Sequence, residues 1–220
     1  MDQRLNHTLR ITELYTSIQG ESTWAGLPCV FVRLARCNLR CLWCDTPHSL
    51  RGGEKWPIRD ILRTVAEYDV PLVEITGGEP LAQKHCAALA EFLLERGYEV
   101  LVETSGSLPI DVLPAGAIRI MDLKCPGSGM EHRNDWANIG RLNKRDEVKL
   151  VMGDRRDYEW SREVLCEHRL HERCHAVLFA PVFGMLAPEQ LAGWILEDRL
   201  PARLQLQMHK CIWPPDARGV

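Results

Sequence analysis

Three cysteine thiols lie within eight residues of one another, in the segment Cys37-Asn-Leu-Arg-Cys41-Leu-Trp-Cys44. On a loop, this spacing allows the backbone to wrap around an iron–sulfur cluster. Three thiolates on a four-iron cluster leave one iron without a protein ligand, and a substrate or cofactor can bind that iron directly. The segment therefore predicts a 4Fe-4S centre with one open position.

Two other interpretations of the cysteines stay open on spacing alone, namely a zinc knob and three unrelated thiols. A structural zinc site takes four protein ligands, and the nearest fourth candidate is His48. Cys29 precedes the group by eight residues on a predicted strand, which separates it by roughly 26 Å at about 3.3 Å per residue. We therefore do not expect Cys29 to join the group.

A second motif, Thr76-Gly77-Gly78-Glu79-Pro80, follows another predicted strand. Paired glycines let a backbone approach a ligand closely, and proline suits the first turn of a helix. By itself the motif also fits an ordinary turn between a strand and a helix. The segments Glu103-Thr104-Ser105-Gly106 and Asp122-Leu123-Lys124 end the next two predicted strands and are further candidates for ligand contact.

Short apolar runs alternate with helical patterns along the chain. The predicted strands are Ile11–Gln19, Pro28–Ala35, Pro71–Thr76, Tyr98–Glu103, Ile118–Leu123, Glu147–Met152, Ala176–Phe179 and Arg203–Met208. The predicted helices are Pro57–Tyr68, Leu81–Arg96, Asp157–His168 and Pro188–Asp198. This alternation indicates an α/β fold with parallel strands, either an open sheet or a partial barrel, and a strand or hairpin arm at the amino terminus. Ligand sites in such folds lie at the carboxyl ends of the strands, where the motifs fall.

The composition is that of a globular protein: 220 residues, 45% apolar and 26% charged, with a formal net charge of −3. We expect one domain over 1–220, because no linker or repeat divides the chain. The chain has no block of basic residues that would indicate nucleic-acid binding. It also has no apolar run that would indicate a signal peptide or a membrane span, so we expect a cytoplasmic protein. Nine cysteines, an odd number without a secretion signal, do not indicate a disulfide scaffold.

The cysteine spacing, with Trp43 just before the last thiol, resembles the radical S-adenosylmethionine superfamily, and the Gly-Gly-Glu-Pro segment agrees. The resemblance implies a partial parallel β/α barrel and a 4Fe-4S cluster on Cys37, Cys41 and Cys44. It also implies that the open iron chelates S-adenosylmethionine, whose reductive cleavage yields a 5′-deoxyadenosyl radical. The implied cofactor contacts are Gly78, Glu79, Thr104, Asp122, Leu123 and Lys124.

Further segments resemble the 7-carboxy-7-deazaguanine synthase family. They are Ser17-Ile-Gln-Gly-Glu-Ser22, Val32-Arg-Leu34, Cys44-Asp-Thr46, Met121-Asp-Leu-Lys-Cys-Pro-Gly-Ser-Gly129 and Gln205-Leu-Gln-Met-His-Lys210, and the similarity runs from about Ile11 to Trp213. The resemblance implies conversion of 6-carboxy-5,6,7,8-tetrahydropterin into 7-carboxy-7-deazaguanine with release of ammonia, in queuosine and 7-deazapurine biosynthesis. It further implies a homodimer, a flavodoxin- or ferredoxin-type electron donor and regeneration of S-adenosylmethionine in each turnover.

The same resemblance implies that Mg²⁺ binds Thr46 and that Ile18, Gln19, Gly20, Arg33, Thr76 and Pro214 contact the substrate. Arg33 has an independent physical argument. Alternation along its strand places Cys29, Phe31 and Arg33 on one face, and a guanidinium among apolar neighbours is costly unless an anion pairs with it. A substrate carboxylate suits the planar guanidinium, although an arginine at a strand end also reaches solvent readily.

Some positions depart from the family pattern. Ser22 and Arg36 stand where glycine is common, and Asn38 stands where proline is common. Cys166, His168, His171, Cys174 and His175 form a second group of possible metal ligands, whose histidine spacing fits one helix face. The Glu- and Arg-rich surroundings favour an exposed helix end over a metal site there.

Two alternative functions remain. A glycyl-radical activating enzyme would share the radical chemistry, but it would act on a protein and would not need Arg33 or the Gln19-Gly20-Glu21 arm. A non-catalytic iron–sulfur or zinc protein would need four closed ligands and would give no role to Gly77–Pro80.

Overall fold

The computed structural model describes residues 2–220 and contains one nine-stranded mixed sheet. The strands are β1 (Thr8–Ile18), β2 (Pro28–Leu34), β3 (Glu54–Pro57), β4 (Leu72–Gly77), β5 (Glu99–Thr104), β6 (Ile118–Lys124), β7 (Glu147–Met152), β8 (Ala176–Pro181) and β9 (Arg203–Leu204). The helices are α1 (Ile58–Glu67), α2 (Cys86–Glu95), α3 (Arg155–Glu167), α4 (Leu170–Arg173), α5 (Pro188–Asp198) and α6 (His209–Ile212). Short 3₁₀ turns join several of these elements.

The strand order is β3-β1-β2-β4-β5-β6-β7-β8-β9. From β2 to β9 all neighbours are parallel, whereas β1 pairs antiparallel with both β2 and β3. Within residues 2–220 the sheet does not close, because β3 and β9 are its two edges. The predicted α/β fold with a partial parallel barrel and an amino-terminal strand extension is therefore confirmed.

The predicted alternation on β2 is also confirmed. Val30, Val32 and Leu34 join an apolar core between the sheet and helices α1 and α2, whereas Cys29 and Phe31 lie on the opposite, inner face. A second outer core of Met121, Leu123, Val148 and similar side chains packs against α3 and α5. Helices thus cover the outer face, and the inner face is left for a ligand.

The inner face changes from apolar to charged along the strands. Near their amino ends it carries Cys29, Phe31, Leu72, Leu101, Ile118 and Ile120. Toward their carboxyl ends the same face carries Arg33, Thr76, Glu103, Asp122 and Lys149. The strand register sets Arg33 beside Thr76 and Asp122 beside Lys149. Parallel pairing therefore assembles the charged layer from residues scattered over the sequence.

Three expectations from the sequence were wrong in detail. The predicted strand Arg203–Met208 ends at Leu204, because the chain then turns toward the amino-terminal arm, where Met208 N–H bonds the Gly20 carbonyl at 2.9 Å. The predicted helix Leu81–Arg96 begins only at Cys86, after a 3₁₀ turn, and strand β3 was not predicted.

The second group of possible metal ligands, from Cys166 to His175, does not share one helix face. Helix α3 ends at Glu167, and Arg169 adopts a positive φ of 50°, which reverses the chain before α4 begins. Cys166 is exposed whereas Cys174 is buried.

No helix of residues 2–220 has both the length and the apolar character needed to cross a lipid bilayer.

Two departures from the family pattern fall on unusual backbone. Ser22 and Arg36 adopt positive φ of 63° and 77°. A side chain in this left-handed region costs about 1–2 kcal/mol relative to the right-handed conformation, and glycine avoids that cost. The structure thus gives the physical reason why glycine suits these two positions.

We expect Arg36→Gly to be more stable than Arg36→Ala by about 1 kcal/mol, because both variants lose the guanidinium but only glycine lacks the Cβ. The free energy of unfolding from denaturant titration measures the difference. An alanine variant as stable as the glycine variant would contradict the backbone explanation.

Candidate active site

The cysteine loop follows β2 and is fixed by contacts to three other segments. Arg36 N–H bonds the Ser49 carbonyl at 2.6 Å, and Leu42 N–H bonds the Ser128 carbonyl at 3.0 Å. Trp43 packs against Gly127 and Gly153, where a Cβ would lie 2.8 Å and 3.2 Å from its ring. The glycine-rich segment after β6 therefore forms part of the seat for this loop.

Cys37, Cys41 and Cys44 are all free and half-buried. Burial raises the pKa of the Cys37 and Cys41 thiols, and the Lys124 ammonium opposes that rise. Burial works to lower the pKa of Lys124, but the charges of Asp122 and Cys41 raise it above its usual value. A cation that stays charged therefore lies near the Cys37 and Cys41 thiols and can offset the negative charge of a cluster bound by thiolates.

The donor set fits an iron–sulfur cluster. Across residues 2–220, no three His, Cys, Asp or Glu side chains converge in a way that would hold a single metal ion. Thiolates that bind different irons of one cluster need not converge on one point. Three soft sulfur donors on one loop, facing a lysine, therefore suit a cluster on Cys37, Cys41 and Cys44 better than a mononuclear zinc.

The Gly-Gly-Glu-Pro turn packs directly onto the cysteine loop. Gly78 N–H bonds the Leu34 carbonyl at 3.0 Å, and Glu79 N–H bonds the Arg36 carbonyl at 2.8 Å. A Cβ at Gly78 would overlap the Arg36 carbonyl oxygen, and Gly77 adopts a φ of 136°. Both glycines are thus required for the approach of the two motifs, whatever ligand they contact.

The Glu79 carboxylate is fully buried and accepts four hydrogen bonds. Its donors are Leu81 N–H (2.9 Å), the Thr104 hydroxyl (2.8 Å), and both the N–H and the hydroxyl of Ser105 (2.7 and 2.6 Å). These bonds occupy the acceptor capacity of a carboxylate and join the end of β4 to the end of β5. Contact of the Glu79 and Thr104 side chains with a cofactor stays a prediction.

At the end of β6, Asp122 and Lys124 point inward and form an ion pair of 2.8 Å. Asp122 Oδ1 is buried without a hydrogen-bond partner, so it is an acceptor that a bound ligand can satisfy. Leu123 points to the outer core and is fully buried, so only its backbone can contact a ligand. The three predicted residues therefore split between two faces.

The central inner face carries a network of opposite charges. Lys149 forms ion pairs with Glu21 of the amino-terminal arm, at 2.8 Å, and with Glu103. Glu103 accepts a hydrogen bond of 3.0 Å from the Thr76 hydroxyl. Despite its burial, Glu103 has a lowered pKa because of Lys149, and Lys149 has a raised pKa because of the two carboxylates. Lys149 was not singled out from the sequence, and Glu21 and Glu103 were named only as members of longer segments.

Glu74 lies one layer deeper, where the register places it beside Phe31 and Leu101. Only 4% of the residue is exposed, and the Gln19 side-chain amide donates a hydrogen bond to it. Burial, followed by repulsion from Glu103, raises the pKa of Glu74 to about 8. Glu74 is therefore a carboxyl group that holds its proton at neutral pH.

The predicted arm residues are largely engaged within the chain. The Gln19 backbone exchanges two hydrogen bonds of 2.8 Å with Leu27 and Gly26, and its side chain bridges Glu74 and the Glu21 N–H. Gly20 packs tightly on His209, since a Cβ would lie 2.5 Å from the ring nitrogen Nδ1. Ile18 ends β1, beside these contacts.

The carboxyl-terminal tail joins the arm to the cysteine loop. The Gln207 side-chain amide donates to Glu21 at 2.9 Å and to Asp45 at 3.0 Å. Desolvation works to raise the pKa of Asp45, but the charges of Lys149 and Lys210 lower it overall, and 48% of the side chain stays exposed. Thr46 follows Asp45 and precedes a 3₁₀ turn, whereas Pro214 is exposed beyond α6. The structure thus brings the arm, the loop and the tail together at the mouth of the inner face.

One sequence signal could have singled out the charged residues of the inner face. Glu74, Glu103 and Lys149 are charged residues inside otherwise apolar strands, at positions that alternate toward the inner face. A charge in a strand covered on both sides is costly unless it is paired. What the sequence does not give is the partner of each charge, because Glu21 and Lys149 are 128 residues apart.

Comparison with known proteins identifies the family. The Radical SAM superfamily model matches residues 32–121. The chain is 43% identical to the 7-carboxy-7-deazaguanine synthase of Koribacter versatilis, over 96% of this chain and 100% of that protein. It is 46% identical to the synthase of the same name from Chlorobaculum tepidum, over 96% and 97% of the two chains.

The chain belongs to the 7-carboxy-7-deazaguanine synthase family. The fold agrees with that of QueE from Escherichia coli, with a TM-score of 0.78 over 94% of this chain and 99% of that chain, at 22% sequence identity. Membership of this family confirms that the chain is a radical S-adenosylmethionine enzyme, with a 4Fe-4S cluster and S-adenosylmethionine as its cofactors.

We expect Glu79→Gln to lower the free energy of unfolding by about 1–3 kcal/mol, because its amide nitrogen would face buried donors in place of an oxygen acceptor. Denaturant unfolding of the anaerobic protein measures the loss. The exposed Glu95 offers a matched control in Glu95→Gln, for which we expect almost no change. Equal effects of the two substitutions would contradict the assignment of Glu79 as the link between β4 and β5.

Glu74→Gln should flatten the dependence of stability on pH. The folded pKa of Glu74, about 8, lies above its unfolded value, so the proton stabilises the folded state most at low pH. That contribution declines as the pH rises from near 4.5 to 8, by at most about 1.4 kcal/mol per pH unit. Unfolding free energies between pH 5 and 8.5 test the expectation, and an unchanged slope in the variant would refute it.

Proposed function

We propose that this chain converts 6-carboxy-5,6,7,8-tetrahydropterin into 7-carboxy-7-deazaguanine, with release of ammonia, as its family does. The observation that carries the proposal is the packing of the Gly78 turn against the cysteine loop, with Arg33 on the same inner face. When bound, the cluster and S-adenosylmethionine supply the radical that removes hydrogen from carbon 6 of the pterin. The remaining tasks belong to the residues of the chain.

The cofactor end of the site comprises Cys37, Cys41 and Cys44 with the ends of β4, β5 and β6. We assign the Gly78 backbone to the methionine amino group and Thr104 to the ribose. Glu79, whose carboxylate is filled by four hydrogen bonds from its own chain, supports this contact by holding the turn in place. Asp122 and Lys124, with the Leu123 backbone, line the same end. The unpaired, buried Asp122 Oδ1 supports this assignment, because a ligand donor would satisfy it.

The substrate end comprises Arg33, Thr76 and the arm residues Ile18, Gln19 and Gly20. Arg33 keeps 15% of its side chain exposed on the inner face, and its guanidinium suits the substrate carboxylate. Thr76, through Glu103 and Lys149, connects the substrate to the buried charges. Pro214 lies on the tail beyond α6 and completes the assigned contacts.

We assign Mg²⁺ to Thr46, because a hard cation prefers oxygen and Thr46 follows Asp45 directly after the last cluster cysteine. The assigned reductant is a flavodoxin- or ferredoxin-type protein. The assigned assembly is a homodimer in the cytoplasm. Exposed apolar side chains on and after the edge strand β9 support a dimer contact: Leu204, Leu206, Met208 and Ile212.

Anaerobic reconstitution with iron, sulfide, dithionite and S-adenosylmethionine tests the function. We expect 5′-deoxyadenosine to form at a rate that depends on the carboxypterin. When the pterin carries deuterium at carbon 6, we expect that deuterium to appear in recovered S-adenosylmethionine. The Cys41→Ala variant should lose both signals, whereas Cys166→Ala, at an exposed thiol far along the chain, should retain them.

The alternatives give different results in the same experiment. A glycyl-radical activating enzyme would cleave S-adenosylmethionine without needing the pterin. A non-catalytic cluster protein would form no 5′-deoxyadenosine. Absence of deuterium from recovered S-adenosylmethionine would overturn the proposed reversible hydrogen transfer.

A further inference from the structure

An irregularity in the pairing of β1 with β2 places Glu13 beside Arg33. Ile11 pairs with Leu34 and Glu13 pairs with Arg33, so β1 advances two residues where β2 advances one. Without the extra residue, Thr12 would lie opposite Arg33. Bulges of this kind turn a side chain to the other face of a sheet and are common next to active sites. Here the bulge directs the Glu13 carboxylate to the inner face.

Glu13 and Tyr15 contact one edge of the Arg33 guanidinium. Glu13 Oε2 lies 2.9 Å from Nε in an ion pair that lacks hydrogen-bond geometry, so Nε itself has no hydrogen-bond partner within residues 2–220. Nη2 donates a hydrogen bond of 3.0 Å to the Tyr15 hydroxyl. Nε and Nη2 share one edge of this planar group. The Tyr15 ring stacks on Phe31 at 5.2 Å, which fixes the hydroxyl. The opposite edge, formed by Nη1 and Nη2, is the one that can take a carboxylate through two parallel hydrogen bonds.

Other carboxylates on the inner face compete for the same cation. The negative charge of Glu103 helps to raise the pKa of Arg33. The positive charge of Arg33 in turn works to lower the pKa values of Asp45 and Glu74. A flexible arginine without a fixed partner would turn toward one of them, and its free edge would then be lost to the substrate. Glu13 is itself held from the outside, since His48 Nε2 lies 3.3 Å from the same Oε2 atom.

We propose that Glu13 is a positioning residue, which holds the Nε edge of Arg33 so that the Nη1–Nη2 edge faces the carboxylate of the pterin. This inference rests on the proposed function, in which Arg33 binds that carboxylate. Glu13 does not contact the substrate. Its effect is therefore confined to ligands that carry the carboxylate, and a purely structural role would not show that selectivity.

The test compares two ligands in several variants. Dissociation constants are measured anaerobically for 6-carboxy-5,6,7,8-tetrahydropterin and for the same tetrahydropterin without the carboxylate. In Glu13→Gln we expect the preference for the carboxylated ligand to fall at least tenfold, while binding of the other pterin and of S-adenosylmethionine stays within twofold. KM should rise more than kcat falls. Glu13→Asp keeps the charge and should restore part of the preference.

Glu54→Gln is the matched control, because Glu54 is exposed on the neighbouring edge strand β3. Equal weakening of both pterins in Glu13→Gln, or an unchanged preference, would overturn the positioning role. Arg33→Lys separates this failure from that of the proposed function. If the lysine variant loses the preference while Glu13→Gln keeps it, only the role of Glu13 is wrong. If both variants keep it, Arg33 does not bind the carboxylate. Should Glu13→Gln not fold, the comparison of Glu13→Asp with wild type decides the question.

Discussion

The close approach of two backbone segments is the constraint on which the rest of the site depends. The Gly77–Gly78 turn lies directly on the chain from Leu34 to Cys37, with backbone hydrogen bonds at 3.0 and 2.8 Å. A side chain at either glycine would force the two segments apart. Because these segments end adjacent parallel strands, their contact sets the distance between the three thiols and the turn assigned to the cofactor. Glu79, which accepts four hydrogen bonds, links the same turn to the end of β5.

A second constraint is the burial of charge on the inner face. Lys149, Glu103 and Glu21 satisfy one another, and each would be costly to bury alone. The set includes residues from the two strands β5 and β7 and from the amino-terminal arm, and Gln207 adds the carboxyl-terminal tail. Charge pairing thus joins segments that are remote in sequence on the inner face of the sheet. Glu74 lies below this layer among apolar side chains, and the cost of burying its negative charge keeps it protonated.

The antiparallel extension has a role beyond covering an edge of the parallel sheet. Its bulge turns Glu13 inward, and its far end supplies Gln19 and Glu21 to the inner face. Helices on the outer face bury the apolar half of the strands other than the edge strands β3 and β9, so the inner half is free to carry charge. The sheet therefore acts as a divider between a core that stabilises the fold and a face that binds ligands.

The sequence by itself determined the fold class, the family and the alternation that puts Arg33 on the inner face, because spacing and period are local properties of the chain. It also identified Ser22 and Arg36 as departures, which the structure explains by their positive φ. Only the tertiary structure decided that Leu123 points away from the site, that Glu79 bonds its own chain, and that the tail leaves the sheet after Leu204. Each of these depends on contacts between residues far apart in sequence, such as Glu21 with Lys149, and no local pattern specifies such a pairing.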